Sequence, residues 1–223
     1  MRVTILSGDV HLAAIGRFYS NVRLKIPARN DQRYMPNVIS SAIVNKPPPA
    51  AVANLLAHRN KVHHLDARTD ETLLNFFDKQ PGGMKKAAGR NHMTMPSRNY
   101  AILTENSPNN PAAPNGGTPA GGEGQVAEAF VKNHPRKNDG RLALHEGEAE
   151  SGTGHRAASA QHGKGHDGSL DICIRVEINQ HDAEGKTQGY GLTVPVLEYQ
   201  ARADASRGSG SSSSRSSRSS RSR

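Results

Sequence analysis

Residues 2–11 read Arg2-Val3-Thr4-Ile5-Leu6-Ser7-Gly8-Asp9-Val10-His11. The apolar run Val3 to Leu6, stopped by Ser7-Gly8, has the make-up of a buried strand that ends in a tight turn. Residues i and i+2 of an extended segment point the same way, so Asp9 and His11 can offer a carboxylate oxygen and an imidazole nitrogen to one place. Gly8 permits the backbone turn that aims them. An oxygen and a nitrogen donor together suit ions of the Zn, Fe or Mn kind, and a metal pair can activate water and neutralise a phosphate. A buried strand this close to Met1 has no upstream neighbour, so the chain is expected to begin inside a domain.

Outward from this block the pattern predicts mixed α and β structure. Val38 to Val44 reads as a strand broken by Asn45-Lys46-Pro47-Pro48-Pro49. Ala50 to Ala57 reads as a short helix ended by His58-Arg59-Asn60. A second helix is predicted over Asp70 to Lys79, with Thr69 or Asp70 as N-cap and Leu73, Leu74, Phe76 and Phe77 on one side. Tyr100 to Leu103 is a further strand. Leu170 to Ile178 and Tyr190 to Tyr199 alternate apolar with polar residues around the polar turn Gln180 to Lys186, the mark of a β-hairpin.

Only 34% of the 223 residues are hydrophobic and 4% aromatic, with no Trp, 22 Gly and 13 Pro. Such a chain cannot order its whole length by burial. The expected division is a folded part over 1–105, a disordered low-complexity insertion over 106–168 with one transient helix at Val126 to Val131, a hairpin over 169–200 that completes the domain, and a flexible Ser/Arg tail over 201–223. The net charge of +9 suggests an anionic partner, but five arginines lie between Arg207 and Arg223 with no acid among them, so over half the excess belongs to the tail. Cys173 is the single cysteine and sits in an apolar stretch, as a small buried hydrophobe would. There is no signal-peptide core and no apolar run of the ~18 residues that span a bilayer, which predicts an intracellular, cytoplasmic chain. The Arg-rich tail offers a secondary expectation of peripheral contact with an anionic membrane surface.

The blocks Arg2 to His11, Met35 to Pro49, Asn60 to Asp66, Asp171 to Glu177 and Gly189 to Pro195 together resemble the C-terminal portion of PhoD-like (alkaline phosphatase D type) phosphatases, in the intracellular branch found in fungi. The resemblance implies a partial four-layer αββα metallophosphoesterase-like fold, a dinuclear metal centre with Fe and Ca (Zn or Mn as alternatives), and hydrolysis of phosphate esters. It assigns Asp9 and His11 as the late metal ligands. Family members bring the earlier ligands from preceding sequence, so this chain is expected to be a fragment with little activity alone.

Other candidates are subordinate. His63 and His64, near Asp66, can stand behind the first ligands, and Arg17, with Arg23 and Arg29, can hold phosphate oxygens by forked hydrogen bonds. Arg90-Asn91-His92 and Lys132-Asn133-His134 read as solvated loops, and His145, His155, His162 and His166 are too irregularly spaced for a fixed metal site. No Gly-x-Ser-x-Gly surrounds Ser40 and Ser41, so serine hydrolase chemistry is not supported. The competing function class is a non-catalytic interaction protein whose tail, Ser211 to Arg223, acts as an RS-like segment binding RNA or a partner and switched by phosphorylation. That tail has no aromatic residue to stack on bases and no RNA-binding fold accompanies it, so nucleic acid is not an expected partner except through the tail.

Overall fold

The computed structural model describes residues 1–8, 11–83, 86, 91–111, 148 and 150–198. Their elements are β1 (Ile5–Ser7), β2 (Ala13–Ser20), β3 (Met35–Ser40), the helix α1 (Ala50–Arg59), β4 (His63–His64), β5 (Thr69–Leu73), β6 (Thr94–Met95), β7 (Asn99–Glu105), β8 (Leu170–Glu177) and β9 (Thr187–Val194). The predicted mixed α and β class holds, with strands dominating. The predicted Val126–Val131 helix, Lys132-Asn133-His134, His145 and the Ser/Arg tail lie outside the described residues.

The larger sheet runs β1-β3-β2-β5-β4, with β6 also pairing with β2. β1 lies parallel to β3, and the other pairs are antiparallel. Its central strand β2 was not legible as one: Ala13, Ala14 and Ile15 are covered, and so are the polar Arg17 and Ser20, because distant partners satisfy them. Ser20 is held by Asp31 through both its hydroxyl and its amide, at 2.7 Å each.

The second sheet, β7-β8-β9, is antiparallel throughout. Alternation along β8 sends Ile172, Ile174 and Val176 into a core shared with Ala13, Ile15, Tyr19 and Val38 of the larger sheet and with Tyr190, Leu192 and Val194 of β9. Burying each such aliphatic chain contributes about 1.5–3 kcal/mol, so this face holds the two sheets together. The hairpin expectation is met, with β9 starting at Thr187, earlier than the alternation suggested.

Two expectations need correction. Asp70 to Lys79 is not a helix: Thr69–Leu73 is strand β5, and Leu74, Phe76 and Phe77 follow as extended chain wedged into the core, with Phe77 edge-on to Tyr190 at 5.0 Å. Their i, i+3 spacing imitates an apolar helix side, but β2 supplies hydrogen-bond partners that override local propensity. The expected disorder over 106–168 is not found at residues 106–111 or 150–168. Residues 150–168 fold over the outer face of β8 and β9 through a 3-10 turn at Arg156–Ala158. Gly152 exchanges backbone hydrogen bonds with Gly191, the Gly163 amide donates to Asp171, and Arg156 pairs with Asp171 at 2.9 Å. Cys173 is buried beneath this layer, and burial pushes its thiol pKa up. Leaving and returning strands meet on one rung, Glu105 opposite Leu170.

Candidate functional site

The geometry at the end of the larger sheet follows from its strand order. β1 and β3 are parallel neighbours, and β3 lies between β1 and β2, so residues 8–12 must cross the C-terminal end of β3 to reach Ala13 opposite Ser40. Gly8 makes that crossing close: a Cβ there would stand 3.1 Å from Cβ of Ser41. His11 is thereby carried over the carboxyl ends of the two parallel strands β1 and β3.

His11 has φ 65°, the left-handed region that non-glycine residues seldom occupy and that gathers at functional sites. The extended i, i+2 geometry expected for Asp9 and His11 therefore does not continue through His11. Asp9 itself lies outside the described residues. Among the described residues, Nδ1 of His11 is a buried nitrogen with no hydrogen-bond partner. A buried polar atom left in this state costs free energy comparable to a lost hydrogen bond unless something else binds it. Leu12, 1% exposed, anchors the loop directly behind it.

The other predicted residues are not gathered around His11. His63 and His64 form β4 at the opposite edge of the sheet from β1, and His64 faces Asp70, which pairs with Tyr19 near the far end of β2. That is roughly 20 Å along β2 and two strands across. There the buried Asp70 carboxylate accepts from Asn21 and meets Nδ1 of His64 at 2.7 Å. Arg17, proposed from sequence to touch phosphate, is turned into the core. It pairs with Glu148 and lies 4.8 Å from the Tyr19 ring centre. Burial works against its charge, but Glu148 and the neighbouring tyrosines outweigh it and hold the guanidinium pKa above its ordinary value. Glu148 also accepts from the Tyr34 hydroxyl at 2.7 Å, and burial first, then that carboxylate, raises the Tyr34 pKa well above the usual range.

Asn91-His92 is not a solvated loop. Asn91 caps the turn into β6 by accepting from the amides of Met93 and Thr94, and Nδ1 of His92 meets the Phe77 carbonyl at 2.9 Å. His162 is likewise engaged at both nitrogens, by the Ala157 carbonyl and the Thr104 hydroxyl. Among the described residues no three His, Cys, Asp or Glu side chains gather as metal ligands. No helix among them is long and apolar enough to cross a membrane. Glu148 is the interacting residue that sequence reasoning missed, and nothing in the polar stretch around it signals a partner so distant in sequence.

The described residues thus form two facing sheets, with a loop bearing His11 across the carboxyl ends of β1 and β3. The sequence matches the PhoD related phosphatase family over residues 1–198, and the chain belongs to that family. It is also similar to the uncharacterized protein YGR266W of Saccharomyces cerevisiae, 40% identical over 129 residues, a stretch covering 50% of this chain and 18% of the yeast protein. The chain thus matches under a fifth of that relative's length, and a yeast relative supports the fungal-type branch. No solved structure matches.

Proposed function

We propose that this chain supplies part of the centre of a metal-dependent phosphatase that hydrolyses phosphate esters, with Asp9 and His11 as metal ligands. The observation that carries the reading is the buried Nδ1 of His11, without a hydrogen-bond partner among the described residues, on a left-handed backbone over the ends of β1 and β3. An imidazole nitrogen beside an aspartate is a donor set suited to Fe, Zn or Mn, while Ca would draw mainly on the carboxylate. Bound there, the metal would neutralise phosphate charge and lower the pKa of the attacking water. The chain's own contribution is to fix the ring: Leu12 is locked in the core, and Gly8 lets the loop lie close on Ser41. Arg17 has no part in phosphate binding in this reading, since Glu148 occupies it.

Asp9→Ala and His11→Ala, introduced into a full-length phosphatase carrying this region, are each expected to abolish metal-dependent hydrolysis of p-nitrophenyl phosphate and to lower bound metal in elemental analysis. Two ligands do not make a catalytic metal site, so the 223-residue chain by itself is expected to show little or no turnover with added Fe, Ca, Mn or Zn. Retention of half or more of the activity and metal in either variant would refute the ligand assignment.

A further inference from the structure

Two neighbouring turns, at the end of the larger sheet remote from His11, carry aliphatic side chains on their tips. The first is the 3-10 turn Val22–Leu24 directly after β2, none of whose residues is buried, with Val22 61% and Leu24 42% exposed. The second joins β4 to β5 through Leu65 to Arg68, and Leu65 is 54% exposed. Ser20 at the end of β2 faces Thr69 at the start of β5, and the Asn21 amide donates to the Arg68 carbonyl at 2.8 Å, so the two turns stand side by side. Both are built to hold their shape. Asn21 accepts from the Arg23 amide at 3.0 Å and donates to the buried Asp70 at 3.1 Å, while Asp66 accepts from the amides of Arg68 and Thr69. Lys25 closes the first turn at φ 48° and ψ 42°, a left-handed backbone that glycine or asparagine adopts more readily.

Scattered exposed apolar residues are ordinary, but here three are fixed outward on paired turns and interleaved with cations. The charged residues of the two turns are Arg23, Lys25 and Arg68 against Asp66, whose carboxylate already serves the amides of its own turn. We propose that this end of the larger sheet is a docking surface for an anionic lipid bilayer. Val22, Leu24 and Leu65 enter the boundary between headgroups and acyl chains, and Arg23, Lys25 and Arg68 meet the lipid phosphates. The occupant follows from the chemistry of the turns: their cations complement an anionic surface, and their aliphatic tips need an apolar phase. A single-stranded nucleic acid would call for rings to stack on its bases, and neither turn has one. Contact of this kind is peripheral, in keeping with the lack of a membrane-crossing helix among the described residues. It leaves the His11 loop uncovered, since that loop lies at the other end of β2, roughly 20 Å away. The surface is separate from the Arg-rich tail and does not depend on the metal-ligand reading of His11.

The test is sedimentation of the full chain with vesicles of phosphatidylcholine, alone or with about 30 mol% phosphatidylserine. Binding to the anionic vesicles is expected, with little to the neutral ones. Each lysine or arginine held near such a surface contributes on the order of fivefold in affinity, so Arg23→Gln with Lys25→Gln should weaken binding roughly twenty-fivefold. Val22→Ser with Leu24→Ser leaves every charge in place and should weaken it by about tenfold or more. Unchanged circular dichroism and urea midpoints show that both variants are folded. A polarity-sensitive fluorophore on Leu24→Cys should shift to the blue on anionic vesicles, the native Cys173 being buried and out of reach of the label. Binding that survives both pairs of substitutions belongs to the Arg-rich tail and overturns the proposal. Weakening by only one of the two pairs overturns it as well, because either the charge or the apolar contact would then have no role. So does failure to sediment with anionic vesicles, whether or not RNA or an acidic polypeptide binds through the same residues.

Discussion

Glu148→Ala removes the carboxylate that pairs with the Arg17 guanidinium and accepts from the Tyr34 hydroxyl. The side chains of Arg17 and Glu148 are 3% and 1% exposed, so water does not readily replace what is lost. Breaking a buried pair by removing one partner costs about 3–5 kcal/mol. Losing the acceptor of a buried hydroxyl costs about 1–3 kcal/mol by itself, and the two losses overlap because one carboxylate serves both groups. A total of about 4 kcal/mol is a large share of the 5–15 kcal/mol typical of a domain. With a urea slope of about 2 kcal/mol per M, the midpoint should fall by roughly 2 M in a titration followed by circular dichroism. Arg17→Met with Glu148→Leu removes both charges together and should recover most of the loss. A midpoint within about 0.3 M of the unmodified chain for Glu148→Ala would refute the reasoning, since the pair would then be hydrated or dispensable.

Gly191→Ala would set a Cβ 2.4 Å from the Ala158 amide nitrogen, so it should destabilise by about 1–3 kcal/mol and speed proteolysis within 150–168. For Asp171, burial opposes ionisation, but the Thr193 hydroxyl, the Gly163 amide, Asn106 and Arg156 together pull its pKa below the ordinary carboxylate value of 3.8. Its stabilisation is thus present above that value and lost as pH falls through the lower folded value, and Asp171→Asn should flatten the acid limb of a stability–pH curve. Lys86 is shifted the other way: burial brings its pKa from 10.5 down to about 8. The folded state therefore holds fewer protons than the unfolded between those values, the burial penalty is full below about pH 8, and it is relieved as pH rises. Lys86→Met should stabilise at neutral pH and remove that rise, measured as urea midpoints between about pH 7 and 11; an unchanged slope would exclude the burial account.

What could be read from sequence was what local periodicity controls. The hairpin of β8 and β9 shows alternation because one face meets the apolar core, and α1 shows its bounds because Pro49 and Asn60 frame it. β2 was hidden because it is covered on both faces and its polar members answer to residues far away, Arg17 to Glu148 and Ser20 to Asp31. β5 was misread because Asp70, which looks like a helix cap, is instead held by His64 and Asn21. At the site, residue identity singled out His11, but its left-handed backbone follows from the loop crossing over β3, a consequence of strand order that no local pattern encodes.

Glu105 and Leu170 face each other across a single rung, so everything between them is an excursion that departs from and returns to the same point of the fold. The closure cost of such an excursion grows only with the logarithm of its length, about 0.6 kcal/mol for each doubling. Residues 150–168 are committed to covering β8 and β9, and the register of β7 against β8 is fixed at the two ends of the excursion. Closing the rung between Glu105 and Leu170 therefore depends on what stands at its two ends, where the Asn106 amide donates to the Ser169 carbonyl and the two side chains meet at 2.9 Å.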